Sequence, residues 1–386
     1  MVADASGRVE RILSAALRSL DEGASAPALG ERLEYSELLG RRVLSGDFER
    51  QRTSTVTQIR EELRAGRFRE AAELVDFFLD EAAIIFGFYR PWLNDLNEFL
   101  LARGLSEDEI RDLNARILAL LTLPDGRPFQ ARILWEELRT KVRELILLCG
   151  EGRAEDALDL LDDVKESWRR IHDRDVDHVY GLMNEVVVRF GEETLAEMWE
   201  ETVGGLFRMR YAKFDVDVLP WRDSVGTNLY LAFEAMRGHL VGPGREGNME
   251  FEEDEDRYTF RFDPCGSGGH LVRGDDEVEG TPPRMEPPYG WAVIEGEHDF
   301  AWNTKGVCLY CTNCCVVMQQ KPIEAFGYPV RVVEPPTYPA TAHVKCTWHV
   351  YKDPANVPER YYEAVGRRKP QPDELGSSGG GAPPLT

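Results

Sequence analysis

Six of the seven cysteines in this chain, Cys265, Cys308, Cys311, Cys314, Cys315 and Cys346, fall within about a fifth of its 386 residues. No other feature constrains the fold as much. An odd number of cysteines in a chain this long does not describe a secreted disulfide framework. In a reducing compartment, clustered cysteines point to metal or to catalysis. Cys149 stands apart, on the apolar side of a helical stretch, and reads as core.

The densest element is Gly306-Val307-Cys308-Leu309-Tyr310-Cys311-Thr312-Asn313-Cys314-Cys315. Two residues between thiolates let both sulfurs turn toward one ion, which is the first half of a zinc knuckle. A C-x-x-C-x-x-C run with a remote fourth Cys is also an iron–sulfur pattern, and that fourth ligand would be Cys265 or Cys346. Zinc is preferred because the run does not continue to a fourth Cys followed by Pro. A catalytic dithiol or disulfide and a set of plain buried thiols stay open beside it.

Phe262-Asp263-Pro264-Cys265-Gly266-Ser267-Gly268-Gly269-His270 is a strand running into a Gly-rich turn that carries a Cys. The N–H groups of such a turn would hold an anion or lower the pKa of the Cys265 thiol. The turn lacks the Lys-Ser/Thr of a phosphate loop, so no nucleotide is expected. In Lys345-Cys346-Thr347-Trp348-His349, strand alternation puts Cys346 and Trp348 on one face and Thr347 and His349 on the other. Cys346 is therefore the ligand candidate there, and His343 also falls opposite it.

Residues from about 8 to 240 read as helical, with apolar residues recurring at three and four spacing. Ala65-Gly66-Arg67-Phe68 to Leu74 resembles Glu151-Gly152-Arg153-Ala154 to Leu160. In both, Gly-Arg ends one helix and an Ala/Leu stripe opens the next, which suits a Gly C-cap between antiparallel helices. A duplicated hairpin and a chance likeness of amphipathic helices are both open. From about 245 the pattern changes to alternation, in Met249–Glu252 and Arg257–Phe262, with the acidic run between them as their turn. Further strands are expected at Val330–Val333 and Lys345–Tyr351, and a short helix at Val316–Phe326. The fold class is α+β. The expected parts are a partly flexible N-terminus over 1–30, a helical domain over 31–244, a Cys-rich α+β domain over 245–366 and a disordered tail over 367–386.

The formal net charge of −23 argues against a nucleic-acid partner and against attachment to anionic membranes. There is no cationic segment followed by an apolar core at the N-terminus, and no apolar run near the roughly 20 residues of a membrane span. A cytoplasmic protein is expected, with a small-molecule substrate and homo-oligomerisation open. The candidate catalytic residues are His298 and Asp299, in a loop leading to the thiols, and His270, which ends the Gly-rich motif. His172 and His178, within Trp168–His178, read as solvated or junction-facing. His239 would cap a helix C-terminus or point across to the second domain.

The segments 262–269, 306–314 and Gly327-Tyr-Pro-Val-Arg-Val-Val-Glu-Pro-Pro336 resemble motifs of a bacterial Cys-rich family that is mostly uncharacterised. The Cys-bearing domain is also faintly similar to L-2-amino-thiazoline-4-carboxylate hydrolase-like proteins. That similarity implies a small-molecule C–N or C–S hydrolase and carries no residue roles. Taken together, the expectation is a zinc-thiolate hydrolase or lyase acting at the domain junction, its ligands drawn from Cys265, Cys308, Cys311, Cys314 and Cys346. A closed shell of four thiolates would make the zinc structural and the protein a binding or regulatory module. The third possibility is a redox or sensor protein with a 4Fe-4S cluster.

Overall fold

The computed structural model describes residues 31–211, 221–275, 278–339 and 345–371. The expected flexible N-terminus, His343 and all of the tail beyond 371 lie outside them. The chain is α+β, as its patterning implies, with one correction near the start. Residues expected to be helical instead form a hairpin, β1 (Leu33–Ser36) with β2 (Arg41–Leu44). Its strands are too short for period-two alternation to stand out from a helical background.

Helices α1 (Phe48–Arg52) and α2 (Thr55–Arg64) start on Asp47 and Ser54, whose side chains accept the N–H groups of Arg50 and Thr57. Two long helices follow, α3 (Phe68–Ala102) and α6 (Ala154–Phe190), each preceded by a shorter one. The shorter partners are α2 and α5 (Ala131–Gly150), and α4 (Glu107–Leu120) lies between. The same turn leads into each long helix. Gly66 at φ +72° and Gly152 at φ +69° take the left-handed position. Arg67 N–H then donates to Glu62 O and Arg153 N–H to Leu148 O, while Gly66 donates to Leu63 O and Gly152 to Cys149 O. That is a Schellman closure, with glycine where a Cβ would be strained. The buried stripes of these helices, including Leu74, Phe78, Leu96, Leu145, Leu161 and Trp168, form the core.

After α7 (Thr194–Tyr211) and α8 (Trp221–Gly238) the chain passes into an antiparallel sheet of order β3-β4-β6-β5. Its strands are Glu250–Glu253, Arg257–Phe262, Val332–Glu334 and Cys346–Tyr351, numbered β3 to β6 along the chain. β3 and β4 pair with Phe251 opposite Phe260, and the acidic run is their turn. Phe233 of α8 packs on Phe251 and Phe260, with ring centres 4.9 and 4.7 Å apart, which seats the sheet on the helices. β4 runs directly into Cys265 and α9 (Gly268–Arg273). The expected helix near 316–326 is found in three pieces: α10 (Thr312–Cys315), a π-helical turn Val316–Gln320 and α11 (Lys321–Phe326). α12 (Arg360–Glu363) closes the described chain. Among the described residues no helix is long and apolar enough to cross a membrane.

Candidate functional site

The sheet and the long helices bring the dispersed cysteines to one place. Phe262 and Cys346 are paired residues of the β4–β6 ladder, so Cys346 faces the turn that holds Cys265. The two thiols lie within electrostatic range of each other. Cys308 is fixed from another direction, by a bridge between Val293 and Cys308 and one between Val307 and Thr337. Its Sγ lies 2.7 Å from Cys311 Sγ and accepts the Cys311 N–H at 3.1 Å. Gly268 stands against this second pair. A Cβ there would sit 2.2 Å from Cys311 Sγ, so only glycine lets the turn approach the C-x-x-C. Cys314 lies within electrostatic range of Cys346 and Tyr310. Cys315 turns away, donating to Asp299 O at 3.3 Å, and burial pushes its thiol well up.

Cys314 is only partly buried, Cys265, Cys346 and Cys311 keep 8, 7 and 6 % exposure, and Cys308 and Cys315 keep none. Cys265 is held at a pKa of about 5. The Cys346 thiol is the main cause, and the N–H groups of Ser267 and Gly269 and the Ser267 hydroxyl add to it against the cost of burial. This is a thiolate at neutral pH. Cys346 is pushed well up by Cys265 and by burial, and so keeps its proton. Cys311 is pushed up in the same way by Cys308 and by burial.

A chain of polar side chains leads from Cys265 into the helical half. Cys265 Sγ is 3.6 Å from Ser267 Oγ, and the Tyr310 side chain lies within electrostatic range of both. Tyr310 Oη is 2.9 Å from Tyr89 Oη on α3. Tyr89 Oη is 3.5 Å from His172 Nε2, and His172 Nδ1 is 2.9 Å from Asp173 Oδ1, both on α6. Burial lowers the pKa of His172, so its ring is neutral at pH 7. Burial opposes ionisation of Asp173, but Arg245, His270, His172 and Arg169 outweigh it and hold the carboxyl well below its usual range. Arg245 also donates to Gly266 O at 3.1 Å, next to Cys265, and so ties the charged end of the chain to the turn that shapes the thiolate.

Other buried ion pairs lock α6 to the second domain. Arg284 donates to both oxygens of Asp177 at 2.6 and 3.0 Å, and Arg174 to both oxygens of Glu279 at 3.2 Å. Tyr180 donates to Ala292 O, and Trp199 of α7 donates to Thr312 Oγ1 at the start of α10. His172 and His178, expected at the surface or the junction, are buried. His172 joins the chain just described, whereas His178 Nε2 bonds Asn114 Oδ1 at 2.7 Å and Asp175 pairs with Arg90. The His239 ring packs 4.9 Å from that of His172 on α6, within the helical part of the chain.

The three candidate catalytic residues are placed differently. His270 is fully buried behind the Cys265 turn, within electrostatic range of Asp173, Arg245, Arg284 and His172. Neither of its ring nitrogens has a hydrogen-bond partner among the described residues. His298 instead bonds Glu192 at 2.7 Å and stacks on Phe300, and Asp299 pairs with Arg367. These two are not brought to the thiol pairs. His349 bonds Thr259, on the opposite side of its strand from Cys346 as alternation requires. Reading the sequence missed Tyr89, Asp173, Arg245, Ser267 and Tyr310. Ser267 and Tyr310 lie inside the two Cys motifs, which was the available signal; Tyr89 and Asp173 had none beyond their helical spacing.

The five expected ligands, Cys265, Cys308, Cys311, Cys314 and Cys346, do gather in one region, as two close pairs and a neighbour. Cys308 and Cys311 are the closest of these pairs, with their sulfurs 2.7 Å apart. Among the described residues no three His, Cys, Asp or Glu side chains converge so as to hold one metal ion. No family model, no curated protein and no solved structure matches this chain.

Proposed function

We propose that the protein is a thiol-dependent enzyme that cleaves a C–N or C–S bond in a small organic molecule, with Cys265 as nucleophile. The reading is supported by the turn around Cys265, where Ser267 Oγ lies 3.6 Å from the thiol and the N–H groups of Ser267 and Gly269 favour its ionised form. The thiolate attacks the electrophilic carbon, a carbon–sulfur bond to Cys265 forms, and the C–N or C–S bond breaks. The leaving amine or thiol takes its proton from water. Water then hydrolyses the covalent adduct and restores Cys265.

The test is the rate of iodoacetamide alkylation of Cys265 against pH, followed by peptide mass. A midpoint near 5, absent in Cys265→Ser, supports the reading; a midpoint near 8.5, the value of an ordinary thiol, sinks it.

A zinc-thiolate centre is the second reading, favoured by the Cys308–Cys311 pair beside Gly268, with Cys265, Cys314 and Cys346 within electrostatic range of one another or of that pair. Cys308 and Cys311 would hold the ion with Cys265 or Cys346, and zinc would supply a Lewis acid or a structural staple. Metal analysis of anaerobically purified protein separates the two. Stoichiometric zinc favours the second reading, and iron with acid-labile sulfide would replace both by a cluster protein.

A further inference from the structure

We propose that Cys308 and Cys311 form a redox-active dithiol that closes reversibly to a disulfide by exchange with a low-molecular-weight disulfide. The backbone sets the pair. Cys311 N–H donates to Cys308 O at 2.9 Å, which closes a four-residue turn. Such a turn keeps its end Cα atoms within about 7 Å, the upper limit for a disulfide formed without backbone movement. The sulfurs already face each other, 2.7 Å apart, and Cys308 Sγ accepts the Cys311 N–H at 3.1 Å. Gly268 backs them both. A Cβ there would sit 2.2 Å from Cys311 Sγ and 3.4 Å from Cys308 Sγ, so the bare backbone leaves room for the pair. Cys314 stands one turn further on, its N–H on Cys311 O at 2.9 Å, and is the competing partner. The proposed nucleophile Cys265 takes no part, so the pair adds a two-electron site beside the one that cleaves the substrate.

Exchange proceeds in two steps. Cys311 keeps 6 % exposure and Cys308 none, so Cys311 is the one of the two that meets the reagent. Its sulfur attacks one sulfur of the small disulfide; a mixed S–S bond forms, the reagent's own S–S bond breaks, and the leaving thiolate takes the Cys311 proton. Cys308 then attacks Cys311 Sγ; the internal S–S bond forms, the mixed bond breaks, and the second thiolate takes the Cys308 proton. The two cysteines lose two electrons, and the small disulfide is reduced to two thiols.

The experiment equilibrates full-length protein, as purified, in anaerobic buffers of reduced and oxidised glutathione at a series of ratios, followed by an acid quench. Free thiols are blocked with N-ethylmaleimide in denaturant, disulfides are reduced, and the thiols released are labelled with iodoacetamide and located by peptide mass. Cys308 and Cys311 should take the second label together, with one midpoint. Cys314→Ser and Cys346→Ser should not move that midpoint, and Cys311→Ser should abolish the second label at Cys308. Both residues still carrying the first label at the most oxidising ratio, or Cys311 paired with Cys314 instead, overturns the proposal. Stoichiometric zinc that keeps both thiols reduced throughout the series overturns it too. In each of these cases alkylation of Cys265 with its low midpoint leaves the nucleophile reading standing, so the two fail separately.

Discussion

The helices α3 and α6 leave the same Schellman turn and run for 35 and 37 residues, yet their middles have nothing in common. In α3 the stretch around Phe86 to Trp92 is mostly aromatic, with Phe86 stacked on Trp135 and Trp92 against Trp199 and Tyr310. At the matching place α6 carries Arg169, His172, Asp173, Arg174, Asp175, Asp177 and His178, all buried. A scaffold that packs well with an apolar stripe has been loaded, in one copy only, with charge that is costly to desolvate. Each charge finds a partner across a gap: Asp173 with Arg245, Asp177 with Arg284, Arg174 with Glu279. The difference marks α6 as the helix whose buried charges pair with Arg245, Glu279 and Arg284 of the later chain, while α3 contributes the Tyr89 hydroxyl near the thiols.

The charged middle of α6 is most vulnerable at Asp173. Asp173→Ala leaves Arg245 and Arg169 buried without their carboxylate, and should cost about 3–5 kcal/mol. Urea unfolding would reveal it, and a loss under about 1 kcal/mol would mean that the network is idle. His178 gives a pH test. Burial holds it at a pKa of about 4 against an ordinary 6.5, so the unfolded chain binds a proton first as the pH drops. Its contribution is fully present above 6.5 and is lost as the pH falls toward 4, by about 3 kcal/mol in all. The stability difference between the wild type and His178→Gln should shrink by that amount between about pH 7 and 4. A difference independent of pH would refute the assignment.

Two smaller changes probe the contrast from the α3 side. Tyr89→Phe removes one link of the hydrogen-bonded chain and should cost about 1 kcal/mol. The alkylation midpoint of Cys265 should not move, because Cys346 and the turn set it; a shift upward would show that the tyrosines also hold the thiolate. Gly87 occupies the place in α3 that Asp173 occupies in α6, and an added Cβ would meet nothing within 4 Å. Gly87→Ala should therefore stabilise the protein by about 1 kcal/mol, in line with helix propensity. A melting temperature that falls would mean that this stretch has unsuspected close neighbours.

Much of the scaffold was legible in the sequence, because it rests on local chemistry. The two Gly-Arg turns, the alternation of β4 and β6 and the acidic turn at 254–256 are written within a few residues of each other. So was the region of the site, since the cysteines crowd into one domain. The pairing of the thiols was not legible, because it depends on Gly268 and on a ladder that joins residues more than 80 positions apart. Nor was the burial of Trp168–His178. A run rich in Arg and Asp reads as a solvated face until its partners, Arg245, Glu279 and Arg284, are known to fold over it. Closeness to the cysteines along the chain brings Asp299 only to Cys315, whose thiol donates to its backbone oxygen, while the His298 and Asp299 side chains pair with Glu192 and Arg367.

Arg245 sits at φ +53° with no exposed surface, bonded at once to Leu240 O, Asp173 and Gly266 O. It stands where the helical half hands over to the sheet, and one guanidinium belongs to both. The two halves are therefore not separable pieces. A fragment cut at this point would give the thiol turn no anchor and the α6 carboxylate no counter-charge, so shortened versions of the protein must keep both sides of residue 245 to keep the site.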